Sequence, residues 1–381
     1  MNNVIIIAKD SAPTTDPAGL VVYRYALSIS NLGINTKLYS ILNRKSKHKQ
    51  ILPNWLLSIT SKYLNVINKD NIFTLLFSLI IDIRNKVKKN EKIYLITHTN
   101  PLYSHWIGIV LKVIFHKNIV WISSFTDPYA KSPFEKKKLR TIGKLIRIIE
   151  QKITFSLCNK IIFVSDLMCQ YICDKNKVAK EKSIIIPFYY NECWKLEIKN
   201  RINNDNDNDN DNDKIKIVHT GNIYGNRDAS LFFKALSYFE NEIDFVNFGK
   251  INNLPSDMLL PSNIIINDSI PYENVLKEIH QADYILIIDS FFKEIKNPYI
   301  PSKIIDAMYL DKKIIGITDK ETELYKFLLK TENIIIENKF QPIYEELKRI
   351  IKKTSYKTKD YSQYSDNKIS YIFETIFFQD N

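Results

Sequence analysis

Short apolar runs rich in Ile, Val, Leu and aromatic residues recur along the chain, separated by stretches in which apolar positions return at helical spacing. In the first half, 4–8, 36–41, 93–97, 119–123 and 160–165 read as strands, with helices over 23–32, 72–87 and 103–114. The second half repeats the alternation, with strands at 215–220, 244–249, 264–267, 284–288, 313–317 and 333–336. Its helices read as 228–239, 272–282, 303–310 and 321–329. Parallel strands need long crossovers, which helices supply, so the alternation predicts two doubly wound, Rossmann-like α/β domains. Such sheets bind ligands beyond the carboxyl ends of their strands, and two of them facing across a cleft bring together a ligand from each side.

The tract 203–213, NNDNDNDNDND, has no apolar residue to bury and reads as a linker or exposed loop. It divides the chain into a first domain, 1–202, and a second, 214–360. They are followed by a C-terminal helix, 361–381, that could return to the first domain. The tract's DxD triplets have a spacing used to hold divalent metals, but low complexity does not supply the rigid scaffold such a site needs. No metal site is expected.

Composition narrows the class. With 45% hydrophobic and 25% charged residues over 381 positions, the chain is neither disordered nor collagen-like. Its 4 cysteines (158, 169, 173 and 193) show no CxxC spacing, which argues against a zinc site and a disulfide framework and fits a reducing cytoplasm. The N-terminus lacks the pattern of a signal peptide, and the longest nearly apolar run, 73–81, is about half the ~20 residues a spanning helix needs.

Charge is uneven. Residues 1–202 carry 32 Lys+Arg against 13 Asp+Glu, net +19, while the remainder carries 22 against 29, net −7. A polyanion or an anionic membrane facing the first half accounts for this. Nucleic acid is not expected, because no helix-turn-helix, zinc-finger or RNP-like pattern accompanies the charge.

Several blocks, in order, carry a family resemblance. They are CNKIIFVSD from Cys158, IIIPFYYNE from Ile184, IVHTGNIYGNRDASLFFKAL from Ile217, IPYENVLKEIHQADYILIID from Ile270 and NPYIPSKIIDAMYLDKKIIGI from Asn297. This succession resembles the retaining, family-four (group 1) glycosyltransferases of GT-B fold found in bacterial surface polysaccharide synthesis. The likeness spans nearly the whole chain and is strongest over 160–318. It implies transfer of a sugar from a nucleoside-diphosphate sugar on the C-terminal domain to an acceptor on the N-terminal domain. It also implies retention of configuration, no bound metal and no cofactor beyond the donor itself.

Physical reasons stand beside the resemblance at several positions. Gly221 and Gly225 permit close backbone approach in the turn after strand 215–220, and Asn222 to Arg227 lead into the next helix, where an anion is favoured. Arg227 and Lys303, the latter in the Pro301-Ser302-Lys303 turn before a helix, are candidates to neutralise a leaving diphosphate. Each also has a plain reading, as turn glycine or solvated surface charge.

The family's E-x7-E signature is altered. Asp306 aligns with the second carboxylate, which meets the donor ribose, whereas Pro298 replaces the first, and Glu294 or Asp289 could supply that contact. Asn222 stands where an Arg is common. These departures leave a catalytically degenerate binding or scaffold subunit as one alternative; a nucleotide-sugar epimerase of the same architecture is another.

On the acceptor side, Asp16 and Gly19 lie in the loop where the family often carries a glycine pair. Asp127, before Pro128 at a strand's carboxyl end, is a candidate to orient or deprotonate the acceptor hydroxyl; an Asx-Pro turn is its plain alternative. His98 is a second catalytic candidate. Residues 136–153 form a basic amphipathic pattern with apolar positions 139, 142, 145, 146, 149 and 153, and 44–49 add a second basic tract. With a glycan or polyprenyl-diphosphate-linked acceptor, the expected place is the cytoplasmic face of an anionic membrane, held peripherally.

Overall fold

The computed structural model describes residues 3–9, 14–15, 17–41, 50–51, 53, 55–56, 61–99, 102–128, 130, 132, 141–174, 176–204, 214–252, 260–352 and 359–378. The first elements are β1 (Asn3–Lys9), β2 (Thr14–Thr15), α1 (Pro17–Asn31), β3 (Asn35–Ile41), β4 (Gln50–Ile51), β5 (Leu64–Lys69), α2 (Ile72–Val87) and β6 (Ile93–His98). There follow α3 (Leu102–Ile114), β7 (Ile119–Phe125), α4 (Thr141–Leu157), β8 (Lys160–Phe163), α5 (Asp166–Cys173), α6 (Lys177–Glu181), β9 (Ser183–Ile185) and α7 (Glu192–Asn204). The chain continues with β10 (Ile215–Thr220), α8 (Ser230–Leu236), β11 (Ile243–Phe248), β12 (Ile264–Asn267), α9 (Tyr272–Gln281), β13 (Tyr284–Ile288) and α10 (Ile304–Tyr309). It closes with β14 (Lys313–Ile317), α11 (Glu323–Lys330), β15 (Ile334–Ile336), α12 (Phe340–Ile351) and α13 (Asp366–Phe378).

These elements form two compact units, 1–191 with 365–381, and 192–364. The first holds a seven-stranded sheet of order β5-β3-β1-β6-β7-β8-β9, and the second a six-stranded sheet of order β12-β11-β10-β13-β14-β15. Every pairing within both is parallel. A small antiparallel pair, β2 with β4, stands apart from them. In each sheet the strand order reverses beside the first strand, between β1 and β6 and between β10 and β13, and these are the switch points where doubly wound sheets open a ligand site. β6 and β13 are buried along their whole length, as strands covered on both faces must be.

The division falls at residue 191, whereas the sequence reading places it at 203–213. Helix α7 lies with the second unit: Lys195 Nζ reaches Asp311 Oδ1 at 2.6 Å, Lys199 grips the other carboxylate oxygen, and the Trp194 ring packs on Tyr309 at 6.4 Å. Helix α13 lies with the first unit, where the Phe377 ring meets Tyr94 edge-on at 5.0 Å and the Asp366 N–H donates to the Tyr190 carbonyl. Residues 205–213, with the DxD triplets, and the basic tracts 44–49 and 136–140 lie outside the described residues. No described helix is long and apolar enough to cross a membrane.

Candidate functional site

At the switch point of the second unit, β10 ends at Thr220 and the chain turns through Gly221, whose φ is +96°. Its N–H donates to the Phe248 carbonyl at 2.6 Å, at the end of β11. Gly249 follows β11 at φ +145°, and a Cβ there would lie 2.5 Å from the Gly221 carbonyl carbon, so the two loops touch backbone to backbone. Only glycine permits this approach. Asn222 Oδ1 accepts from the Lys250 N–H at 2.8 Å, which ties the loops again and gives Asn222 a structural task. Beneath them, buried His219 donates from Nδ1 to Asn247 Oδ1 at 2.6 Å, and Asn247 Nδ2 donates to the Gly249 carbonyl at 2.6 Å.

Two cations converge on this glycine turn. Lys303 lies so close to Gly221 that a Cβ on the glycine would overlap Nζ. That Nζ is buried and hydrogen-bonds to no described residue. Burial, and after it the charge of Arg227, push its pKa down to about 7, against the opposing effect of Asp306. Arg227 lies with its guanidinium 5.1 Å from the centre of the Tyr224 ring. Burial, Lys303 and Arg227 also hold His219 neutral. Pro301 and Ser302 form the turn that delivers Lys303, their carbonyls accepting from the Ile304 and Ile305 N–H groups. Asp306, in the first turn of α10, accepts at Oδ1 from the buried Tyr272 hydroxyl at 2.7 Å.

A buried ammonium that hydrogen-bonds to no described residue and has only Asp306 to offset its charge is costly, and an anion seated on the glycine turn relieves that cost. The helix-terminus contribution expected here is smaller than the sequence suggests. Helix α8 starts at Ser230 instead of Asp228, and Asp228 Oδ1 already accepts the Ser230 N–H at 2.8 Å.

The loop after β13 forms the other wall of the switch point, and the Phe291 N–H donates to the Asn226 carbonyl at 3.1 Å, joining it to the glycine loop. Asp289 is buried and spends its carboxylate inside the loop. It accepts from the Ser290 N–H at 2.8 Å, from the Thr318 hydroxyl at 2.7 Å and from the Asn297 amide. Burial raises its pKa. Glu294 is exposed and lines a cavity of about 620 Å³ with Asn297, Thr318, Thr322 and Tyr325. Pro298, at the place of the first signature carboxylate, is buried.

In the first unit, His98 closes β6 and Asp127 follows β7, at neighbouring strand ends. The His98 ring is 1% exposed, with Nδ1 at 3.1 Å from Ser124 Oγ and Nε2 at 3.3 Å from Thr126 Oγ1. Burial lowers its pKa to about 3, so it is neutral at physiological pH. Thr126 Oγ1 donates onward to Asp127 Oδ2 at 3.4 Å, which requires that His98 donate from Nε2. Asp127 itself is partly exposed. His98 therefore reaches Asp127 through one hydroxyl. Gly19 lies buried in the first turn of α1, and Asp16 is outside the described residues.

The structure thus brings together Gly221, Arg227 and Lys303, with Asp306 close enough to act on the lysine. Sequence reasoning passed over Gly249, Asn247, Tyr272 and Thr126. Gly249 had a legible signal, since it ends an apolar strand in a chain with only 8 glycines.

No protein-family model matches the chain, and no curated protein matches it. Solved structures do. Sucrose-phosphate synthase from Thermosynechococcus elongatus superposes with a TM-score of 0.63 at 13% identity, over 100% of this chain and 99% of that one. A glycosyltransferase from Rickettsia africae gives 0.60 at 13% identity, over 99% and 98%. Anabaena HepE in complex with UDP-glucose gives 0.56 at 9% identity, over 99% and 95%. The chain has the GT-B fold, two Rossmann-like α/β units in one chain.

Proposed function

We propose that the protein is a glycosyltransferase that moves a sugar from a nucleoside-diphosphate sugar, held by the second unit, to a glycan or polyprenyl-diphosphate-linked acceptor handled by the first. The observation that carries this reading is the Lys303 ammonium, buried against Gly221 at the carboxyl end of β10 with Arg227 nearby. A diphosphate leaving group gathers negative charge as the glycosidic bond breaks, and fixed cations at that place stabilise the charge where it develops. Structural relatives that include a complex with UDP-glucose support the same class of donor.

In this reading Gly221 and Gly249 let the diphosphate approach the backbone, Lys303 and Arg227 neutralise it, and Asp306, held by Tyr272, meets the ribose. Lys303 and Arg227 supply the positive charge that a metal would otherwise bring. Asp127 orients the acceptor hydroxyl, and His98 positions Asp127 through Thr126. Retention then follows by attack on the face from which the diphosphate departs, a phosphate oxygen taking the proton. The setting is surface polysaccharide assembly, with the cationic first unit toward the inner face of an anionic membrane.

The test is to incubate the purified protein with a panel of nucleotide sugars and measure released nucleoside diphosphate. Release that falls at least ~100-fold in Lys303→Ala is expected, on the scale of a lost transition-state donor. Binding of the panel without any turnover would make the chain a degenerate subunit. A donor returned with one inverted carbon would make it an epimerase.

A further inference from the structure

Three helices on one side of the first sheet turn their apolar residues outward. Right-handed crossovers from β5 to β6, β6 to β7 and β7 to β8 place α2, α3 and α4 side by side on the same face. On α2 the stripe Phe73, Phe77, Ile81 is exposed, Phe73 at 79% and Phe77 at 68%. On α3 Trp106, Val110, Val113 and Ile114 are exposed, while polar Ser104, His105 and Lys112 are buried. On α4 Ile142, Leu145, Ile146 and Ile149 are exposed, whereas Glu150 and Thr154 are fully buried. The last two helices therefore carry apolar residues on both sides: Ile107, Leu111 and Phe155 pack inward beside the buried polar groups, and the aliphatic residues named above face out. Lys112 Nζ donates to the Ile119 carbonyl at 2.6 Å and to Asn159 Oδ1 at 3.1 Å, and Thr154 donates to Glu150 Oε1 at 3.2 Å, while Glu150 Oε2 hydrogen-bonds to no described residue.

Apolar faces this broad on a folded unit mark an interaction surface. Its charges point to one occupant. No Asp or Glu is among the exposed residues of these three helices, because Asp82 is partly buried on Lys37 and Glu150 is inside. Exposed Arg84, Lys88, Lys89, His116, Lys117 and Lys152 lie toward the carboxyl ends of the helices, which parallel topology sets at one end of the layer, and exposed Lys144 lies in the first turn of α4 at the other. Of the carboxylates that flank α2, Asp70 is exposed ahead of the helix and Glu91 is partly buried against Lys86 and Asn3, so cations outnumber them along the border. An aliphatic and aromatic ridge beside a predominantly cationic border fits the interface of an anionic bilayer, with side chains in the acyl boundary and cations among headgroups.

We infer that the α2–α3–α4 layer is a membrane-docking face that inserts Phe73, Phe77, Trp106, Val113 and Ile142 into the interface of an anionic bilayer. This rests on the reading of the protein as a membrane-associated one and names the surface responsible.

The experiment is co-sedimentation of the full chain with phosphatidylglycerol–phosphatidylcholine vesicles at low and high salt, together with quenching of Trp106 by brominated acyl chains. Binding that salt weakens without abolishing is expected, as is quenching that disappears in Trp106→Phe. The variant Phe73→Ser/Phe77→Ser/Val113→Ser, its melting temperature unchanged because these side chains are exposed, is expected to lose the salt-resistant fraction by about tenfold or more. Wild-type binding with no quenching of Trp106 and an unaffected triple variant would overturn the assigned face while sparing the membrane reading. Absence of vesicle binding by the wild type would overturn both. A concentration-dependent dimer abolished by the triple variant, with no vesicle binding, would give the face to a second copy of the chain instead.

Discussion

Lys303 carries the sharpest expectation at the scale of single residues, because its pKa lies at about 7 in the free protein. A bound diphosphate favours the charged ammonium and raises that pKa in the complex. Binding above pH 7 must therefore take up a proton, and affinity must weaken as pH rises from 7 toward the raised value. Calorimetry at pH 8 in two buffers of different ionisation enthalpy should show that uptake, and Lys303→Met should abolish it. Glu150 gives an independent expectation. Burial raises its pKa from 4.5 to about 8, so the folded state keeps a proton that the unfolded state gives up between those values. Stability thus falls with rising pH across that window, by up to ~1.4 kcal/mol per pH unit, and levels off above it. Glu150→Gln should raise the melting temperature at pH 8 and leave it nearly unchanged at pH 5. Among the candidate residues, Arg227 and Lys303 were singled out through the family resemblance, because taken singly each reads equally as surface charge and only the fold sets Lys303 against Gly221. His98 and Asp289 were not legible as interior groups, since a residue name at a strand end does not tell whether its polar atoms face a ligand or a neighbouring hydroxyl.

The regular elements show how far patterning reaches. Strands 215–220, 264–267, 284–288 and 313–317 and the helix 72–87 match their expected limits, because apolar runs of that length bounded by polar turns have one favourable packing. Strand β5 is an edge strand of sequence LNVINK that is buried on neither side, so its alternation is weak and it escaped notice. Helix α7, ECWKLEIKNRINN, escaped for a similar reason: its register depends on Trp194 and on lysines that reach Asp311, contacts made across the chain. The loops after β10 and β11 supply the prediction at this scale. Gly249→Ala sets a Cβ against the Gly221 carbonyl carbon at a φ of +145°, so either the backbone strains or the loop moves. A stability loss of about 1–3 kcal/mol in denaturant melts is expected, together with weaker nucleoside-diphosphate binding. Normal stability and normal binding would show that the close approach of the two loops is dispensable.

For the molecule as a whole, the chain is threaded so that its last helix completes the first unit. Tyr25 packs against Phe373 at 5.7 Å and Tyr94 against Phe377 at 5.0 Å, contacts that removal of 365–381 would replace with water. Truncation after Tyr364 should therefore lower the thermal stability of the first unit while nucleoside-diphosphate binding by the second persists. A nick within 205–213 should leave two fragments that co-purify, because the second fragment carries α13. The two-unit organisation and the charge asymmetry were legible from composition, whereas the boundary at 191 was not, because α7 precedes the low-complexity tract yet packs beyond it. The central claim is that the glycine turn with Lys303 and Arg227 binds the diphosphate of a nucleotide-sugar donor. Isothermal calorimetry of the full chain with UDP, GDP and ADP tests it most directly. Saturable binding of at least one of them is predicted, weakened by roughly 1.5–3 kcal/mol in Lys303→Ala and in Arg227→Ala, the scale of a charge-assisted hydrogen bond. Failure of all three nucleotides to bind, or equal affinity in wild type and both variants, would contradict it.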